Sequence, residues 1–373
     1  MAAGGRAGAT LTIDLDAIAA NYRMLRGRTG AAACGAVVKA DAYGLGMARV
    51  APALATAGCT DFFVASLDEG ITLRRLLGER NLKATITVFL GPQADSAGDF
   101  IASDLTPVLN DPRQVEEWSA AARRAGRPLG AVLHVDTGMN RLGLQASEGK
   151  SLAEANAALD GVKIRAVMSH LACADDAGNP MNQDQLTRFE ETRRLLPAAP
   201  ASLANSAGIL LGPGYHFQMV RPGIALYGGN PLNNNTNIFS YVVVLTSIIA
   251  QIRDIDRGQT VGYGATHRAA GPTRIATVPV GYADGYIRGL GNQGAASVGG
   301  VRVPVVGRVS MDLITLDVTA IPPERCQPGC PVELIGGTVT LDAVAKAAGT
   351  ISYEILTRLG PRLRRVYVGG PGV

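Results

Sequence analysis

Thirty arginines but only five lysines occur among the 373 residues, and one of the five stands where a solvated amine would not. The run Gly35-Ala36-Val37-Val38 reads as a short buried strand, and Lys39 ends it against the glycine-punctuated turn Ala40-Asp-Ala-Tyr-Gly-Leu-Gly46. An amine at the mouth of an apolar strand has its charged form disfavoured. Its pKa falls, and the free nitrogen becomes a nucleophile suited to a Schiff base with a carbonyl compound. The plainer alternative is a lysine that snorkels out of a strand end. Tyr43 and two glycines beside it weigh towards chemistry.

Other residues could serve the same chemistry. Asn205-Ser206-Ala207-Gly208 and Arg221-Pro222-Gly223-Ile224 offer a hydroxyl and free backbone N–H groups, the means to hold a phosphate; alternatively Ser206 caps a helix and Gly223 serves a turn. Arg221 sits in a mainly apolar stretch, Met219 to Tyr227, and a buried guanidinium stays charged and must find an acceptor, most simply an Asp or Glu. His170, one of four histidines, lies in Met168-Ser-His-Leu-Ala-Cys-Ala-Asp175, and Arg141 in Asp136-Thr-Gly-Met-Asn-Arg-Leu-Gly143. Taken singly, each also reads as a structural hydrogen-bonder or a solvated loop residue.

The elements that must position these residues alternate in type. Strands are expected at 35–39, 62–66, 84–89, 106–109, 131–136, 164–168, 201–204 and 217–225, with amphipathic helices at 45–57, 67–78, 112–125, 148–160 and 184–196. Eight strands alternating with helices predict a (β/α)8 TIM-type barrel, and no Gly-x-Gly-x-x-Gly follows the first strand to favour a doubly wound sheet. Active sites of such barrels lie at the carboxyl ends of the strands, so Lys39, Arg141, His170, Ser206 and Arg221 should face one pocket. After the Asn-rich stretch 230–237, strand-like runs dominate at 240–252, 273–280, 301–306, 313–318 and 331–335, with a helix at 340–348. We therefore expect a barrel over 1–236 and a mostly-β C-terminal domain over 237–373.

Composition narrows the class. A hydrophobic content of 47% with 18% charged residues describes a globular chain with a large core. The net charge of +4 contains no basic block suited to nucleic acid, but suits a small anionic ligand. Five scattered cysteines argue against a disulfide framework, and Cys326 and Cys330 lack the partners of a zinc site. The segment Met1–Thr10 does not read as a signal peptide, and the most apolar stretch, 241–250, is too short to span a bilayer, so a cytoplasmic protein is expected.

Val37 to Gly46 resembles the pyridoxal-phosphate lysine motif of alanine racemases, and the resemblance extends from Thr12 to Glu354. It implies pyridoxal 5'-phosphate as cofactor, carried on Lys39. Tyr43, Asn205, Ser206, Gly223, Ile224 and Tyr353 would hold it around the phosphate. Arg221 would face the pyridine nitrogen, and His170 would link Arg221 to a tyrosine. That tyrosine is Tyr263, in Val261-Gly-Tyr-Gly-Ala-Thr266, which resembles the segment supplying a second base from the other subunit of a homodimer. Arg141 matches the arginine near the cofactor oxygen and substrate carboxylate, and Ser310-Met311-Asp312 a carboxylate-binding segment. Asp175, Tyr282, Arg288 and Arg308 match entrance positions. The implied activity interconverts L- and D-alanine by a two-base mechanism, supplying D-alanine for the cell wall. A broad-specificity racemase, a basic amino-acid decarboxylase of the same fold and a non-enzymatic cofactor carrier are the alternatives. One position departs from the pattern. Many members carry, before the Asp-Thr-Gly-Met segment, a lysine that becomes carbamylated and orients the arginine; here His134 stands. An imidazole forms no such carbamate, so Arg141 must be held otherwise, by water or chloride.

Overall fold

The computed structural model describes residues 8–154, 159–232, 234 and 236–370. Seven parallel strands run in chain order: Ala36–Val37, Asp61–Val64, Thr85–Val88, Thr106–Leu109, Leu129–His134, Val162–Met168 and Ala201–Ser202. The eighth, Met219–Val220, closes the barrel. It pairs in parallel with Ala33–Cys34 on one side, and on the other the Arg221 amide donates to Ala204 O at 2.9 Å. Inside, Val108, Val132, Ala166 and Met168 pack with Phe89, each strand contributing alternate residues.

The ends of the circle differ from expectation. The first strand is split at Gly35, where a Cβ would meet Phe63 Cε2 at 2.5 Å, and it stops at Val37; Lys39 opens a turn instead of ending the strand. The expected strand 217–225 is cut short by Pro222, which has no N–H to donate, and the chain passes into a 3-10 turn, Ile224–Tyr227. Most helices lie where periodicity put them, as Met47–Thr56, Leu67–Gly78, Pro112–Ala125 and Met181–Leu195. Ser66 and Glu69 form a capping box for the second of these, and Asp111 with Pro112 starts the third. The expected helix 148–160 is Ala146–Glu154; residues 155–158 lie outside the described residues.

The remainder is β-rich. A six-stranded sheet runs Val301–Pro304, Ala295–Val298, Pro331–Ile335, Val243–Ile248, Ala9–Asp14, Arg364–Val368. Its fifth strand comes from the start of the chain, which the sequence reading had given to the barrel half. Leu11 pairs with Leu245 on one side and with Arg365 on the other. A three-stranded sheet of Gln251–Ile255, Thr273–Val278 and Ile314–Asp317 and a ribbon of Thr260–Val261 with His267–Arg268 complete it. The single strand expected over 240–252 is thus two, broken at Ile249 and Ala250. The Asn-rich stretch, of which Asn233 and Asn235 lie outside the described residues, is tied down: Asn230 N and Asn237 Nδ2 donate to the Asp342 carboxylate at 3.0 and 2.8 Å. No helix is long and apolar enough to cross a membrane among the described residues.

Candidate active site

The cleft at the carboxyl ends of the barrel strands is lined by Lys39, Tyr43, His134, Arg141, His170, Asp175, Asn205, Ser206, Arg221, Gly223 and Tyr353, among others. Lys39 lies half-buried with its Nζ 5.8 Å from the centre of the Phe89 ring. Burial lowers its pKa, the positive charge of Arg141 lowers it further, and Glu69 pulls the other way. The residues after it form a left-handed turn without glycine: φ is 52° at Ala40, 53° at Asp41 and Ala42, and 58° at Tyr43. Such a turn costs roughly 1–2 kcal/mol per residue and persists only where its surroundings insist on it. Here they do. Ala40 N donates to Glu69 Oε1 at 2.6 Å, Met47 N to Asp41 Oδ1 at 2.7 Å, and Arg365 and Tyr367 hold the carbonyls of Gly44 and Leu45. The turn delivers Tyr43 into a cluster of tilted rings, its centroid 4.7 Å from that of Tyr227 and 5.9 Å from that of Tyr353.

Arg221 is 2% exposed. Its Nη atoms donate to Ser202 Oγ and to the carbonyls of Ser169 (2.6 Å) and Leu203 (3.4 Å). The acidic partner that the sequence favoured is absent: no carboxylate pairs with it among the described residues. Burial lowers its pKa to about 10, which leaves it a cation at neutral pH. Its Nε–H has no protein acceptor among the described residues and is not sealed from the cleft. That cation depresses both neighbouring imidazoles. Burial, then Arg221, bring His170 to about 3 and His134 to about 4, so both are neutral.

Ser206 does not cap its helix. Asn205 does, its Oδ1 accepting from Gly208 N at 2.9 Å, while Ser206 Oγ accepts from the amides of Gly223 (2.8 Å) and Ala225 (3.4 Å). The Gly223 amide is therefore not free, as the sequence had suggested. Ser206 lines the cleft with its hydroxyl proton still to donate, whereas Ile224, first residue of the 3-10 turn, is fully buried and does not line the cleft. A Cβ at Gly223 would collide with the Tyr43 hydroxyl. This is a cradle that only glycine leaves open.

The remaining candidates lie elsewhere. Tyr263 is 72% exposed and the glycines on either side of it, Gly262 and Gly264, lie against Arg308, while Tyr282 N donates to Ser310 O at 3.0 Å, beside exposed Met311. Asp312 is paired with Arg362 at 2.7 Å, and Arg288 is exposed. None of Tyr263, Tyr282, Arg288, Arg308, Met311 and Asp312 lines the Lys39 cleft. The hydrogen-bonded chain Tyr263–His170–Arg221 is thus not formed within one chain; the residues belong to two separate groups. The sequence reading missed Glu69, Phe89, Asn110 and Gln114. Of these only Glu69 carried a signal, the Ser-x-x-Glu capping pattern at 66–69.

A closed parallel barrel that delivers a depressed-pKa amine into the same cleft as Ser206 and the Gly223 turn puts this chain in the class of barrel enzymes built for amine–carbonyl chemistry. Comparison with known proteins narrows the class to one family. Residues 13–231 match the model for the N-terminal domain of alanine racemase and residues 242–367 that for its C-terminal domain, so the chain belongs to the alanine racemase family. It is 50% identical to a catabolic alanine racemase of Mesorhizobium japonicum, over 98% of this chain and 94% of that one. To an alanine racemase of Rhodospirillum rubrum it is 49% identical, over 98% and 97%. The crystal structure of alanine racemase from Bartonella henselae with covalently bound pyridoxal phosphate superposes with a TM-score of 0.92 at 39% identity, covering 97% of this chain and all of that one.

Proposed function

We propose that the protein is an alanine racemase that uses pyridoxal phosphate to interconvert L- and D-alanine and so supplies D-alanine for the cell wall. The observation that carries this reading is the buried Arg221, a cation with no carboxylate partner among the described residues, whose Nε–H opens onto the same cleft as the Lys39 amine. The residues fit the cofactor: Lys39 would take its aldehyde and Arg221 Nε its ring nitrogen. Tyr43, Ser206 and Tyr353 would take its phosphate, with Asn205, Gly223 and Ile224 shaping the cradle. Once bound, pyridoxal phosphate supplies the electron sink that acidifies the α-hydrogen of alanine.

The chain's own residues do the rest. Arg141 and the Met311–Asp312 segment would hold the substrate carboxylate. Lys39 Nζ removes or returns the α-proton on one face and the Tyr263 hydroxyl on the other; two bases on opposite faces are what racemisation requires. Since Tyr263 does not line the cleft of its own chain, a second copy must bring it, and we propose a homodimer with shared active sites. The exposed apolar set Tyr263 (72%), Met311 (54%), Tyr282 (43%) and Leu313 (43%) supports a covered surface there. Asp175, Tyr282, Arg288 and Arg308 would then narrow the entrance. A barrel over 1–236 and a β domain over 237–373, with strand Ala9–Asp14 lent to the latter, is the corresponding division. All five cysteines are free, which supports a reducing cytoplasmic setting.

Circular dichroism of L-alanine incubated with purified protein tests the reading, with L-serine, L-lysine and L-arginine as competitors for the assignment. We expect a yellow protein that racemises alanine, and borohydride should fix the cofactor to wild type and not to Lys39→Ala. A Lys39→Ala protein that still fixes cofactor would sink the assignment.

A further inference from the structure

One buried polar network has no part in the reaction as described. On neighbouring barrel strands, period-two alternation carries Asn110 inward after Val108 and His134 inward after Val132, one layer above the packed interior. Asn110, His134 and Gln114 are 4%, 9% and 4% exposed. Gln114 Nε2 donates to the carbonyls of Leu90 (2.9 Å) and Pro92 (3.1 Å), so its Oε1 faces Asn110 and accepts from Asn110 N at 2.8 Å. Asn110 Nδ2 in turn donates to Phe89 O at 2.9 Å and Val108 O at 3.2 Å. Backbone carbonyls thus fix which way both amides point, and Asn110 Oδ1 is left facing His134 Nδ1 at 2.8 Å. An oxygen can only accept, so Nδ1 carries the ring proton. In a neutral imidazole Nε2 is then a bare lone pair.

That lone pair has no protein donor among the described residues, and it is not sealed in; His134 lines the cleft. The segment carrying Arg141 folds directly over the ring. Leu144 N donates to His134 O at 2.8 Å, Asp136 N to Leu144 O at 2.9 Å, and a Cβ on Gly143 would sit 3.2 Å from His134 Cδ2. Asp136 pins the near side of the loop by accepting from the amides of Gly138, Met139 and Asn140. Arg141 has no acceptor of its own among the described residues, although its charge is felt by both His134 and Lys39. Among the described residues, an acceptor without a protein donor thus lies under the loop that carries a donor without a protein acceptor. Chloride, entertained on sequence grounds, is a poor occupant beside His134, because a ring nitrogen without a proton repels an anion.

We infer that His134 is the positioning residue for Arg141: its Nε2 receives an N–H of the Arg141 guanidinium when the cleft is filled, and Gln114 and Asn110 exist to hold the tautomer that permits it. The assignment rests on the racemase reading, in which Arg141 meets the substrate. Histidine-selective ¹⁵N spectra of the protein loaded with pyridoxal phosphate test it, since only four imidazoles need assigning. We expect His134 as a neutral ring protonated on Nδ1, with an Nε2 signal that moves towards that of a free lone pair in Arg141→Ala. A ring protonated on Nε2, or an Nε2 signal that Arg141→Ala leaves in place, overturns the inference. Two substitutions give a second readout. His134→Gln carries an acceptor to about the place of Nε2, whereas His134→Asn restores only the end facing Asn110. The Asn variant should raise KM for alanine on the order of 10-fold, the loss expected for a charge-assisted hydrogen bond, and the Gln variant should recover most of it. The reverse order counts against His134 as an acceptor. A yellow protein with an unmoved His134 signal overturns this inference alone; a protein that takes up no pyridoxal phosphate overturns the racemase reading together with it.

Discussion

Two imidazoles, His134 and His170, are kept neutral beside the buried Arg221 cation. His134 titrates near 4 and His170 near 3, against 6.5 in an unfolded chain, chiefly because burial and then Arg221 oppose a second charge. Above pH 6.5 both states leave these rings neutral and nothing is gained or lost. As pH falls from 6.5 towards 4 the unfolded chain takes up protons that the folded one refuses, so stability drops by up to about 1.4 kcal/mol per pH unit for each histidine. Urea unfolding of the cofactor-free protein should show this loss between pH 6.5 and 4.5. The stability gap between wild type and His134→Gln should shrink over the same range as the wild-type penalty grows. A gap that stayed constant with pH would mean that His134 is charged in the folded protein.

At the scale of elements, the left-handed turn Ala40–Tyr43 depends on a residue of another helix. Glu69 uses both carboxylate oxygens, Oε1 on Ala40 N and Oε2 on Ala65 N at 2.7 Å, and so clamps the end of the first strand to that of the second. Glutamine keeps one accepting oxygen and turns an NH2 group on the other amide. Glu69→Gln should therefore destabilise the protein by about 2 kcal/mol and slow the uptake of borohydride-fixable cofactor, since Lys39 loses its fixed approach. If unfolding and uptake are both unchanged, the turn is held by other bonds. The same element shows how far sequence could go. Periodicity found the barrel strands and most helices because each buries a regular face, and the motif residues of the barrel fell into one cleft because their strands share a direction. Gly44 and Gly46 made a turn legible, but not its left-handed course: residues 40–43 include no glycine, and the carboxylate that holds them lies on the next helix. Strand Ala9–Asp14 was also missed, because its partners are at the far end of the chain and local pattern carries no word of them. Arg221 was recognised as needing an acceptor, but only packing shows that backbone carbonyls, and no acid, provide it.

At the scale of the molecule, the division of the candidate residues into a cleft group and an exposed group makes a quantitative statement about assembly. Lys39→Ala and Tyr263→Ala should each be inactive alone. If every site takes Lys39 from one copy and Tyr263 from the other, unfolding and refolding an equal mixture yields half heterodimers, each with one intact site, so about one site in four should recover. No recovery, with mixed dimers demonstrated by size and affinity tag, would place both bases in one chain. The six-stranded sheet has a consequence of a different kind. A ribosome releases the chain from its amino end, so Ala9–Asp14 emerges long before Val243–Ile248 and Arg364–Val368, which flank it. For most of translation this strand has no neighbours, its buried side chains Leu11 and Ile13 are uncovered, and both of its edges are open to any other nascent chain. A ribosome stalled in the Asn-rich stretch would display a barrel with an unpaired apolar strand at its foot. Chaperone demand during synthesis should accordingly fall when Leu11 is replaced by threonine, at the expense of the finished sheet.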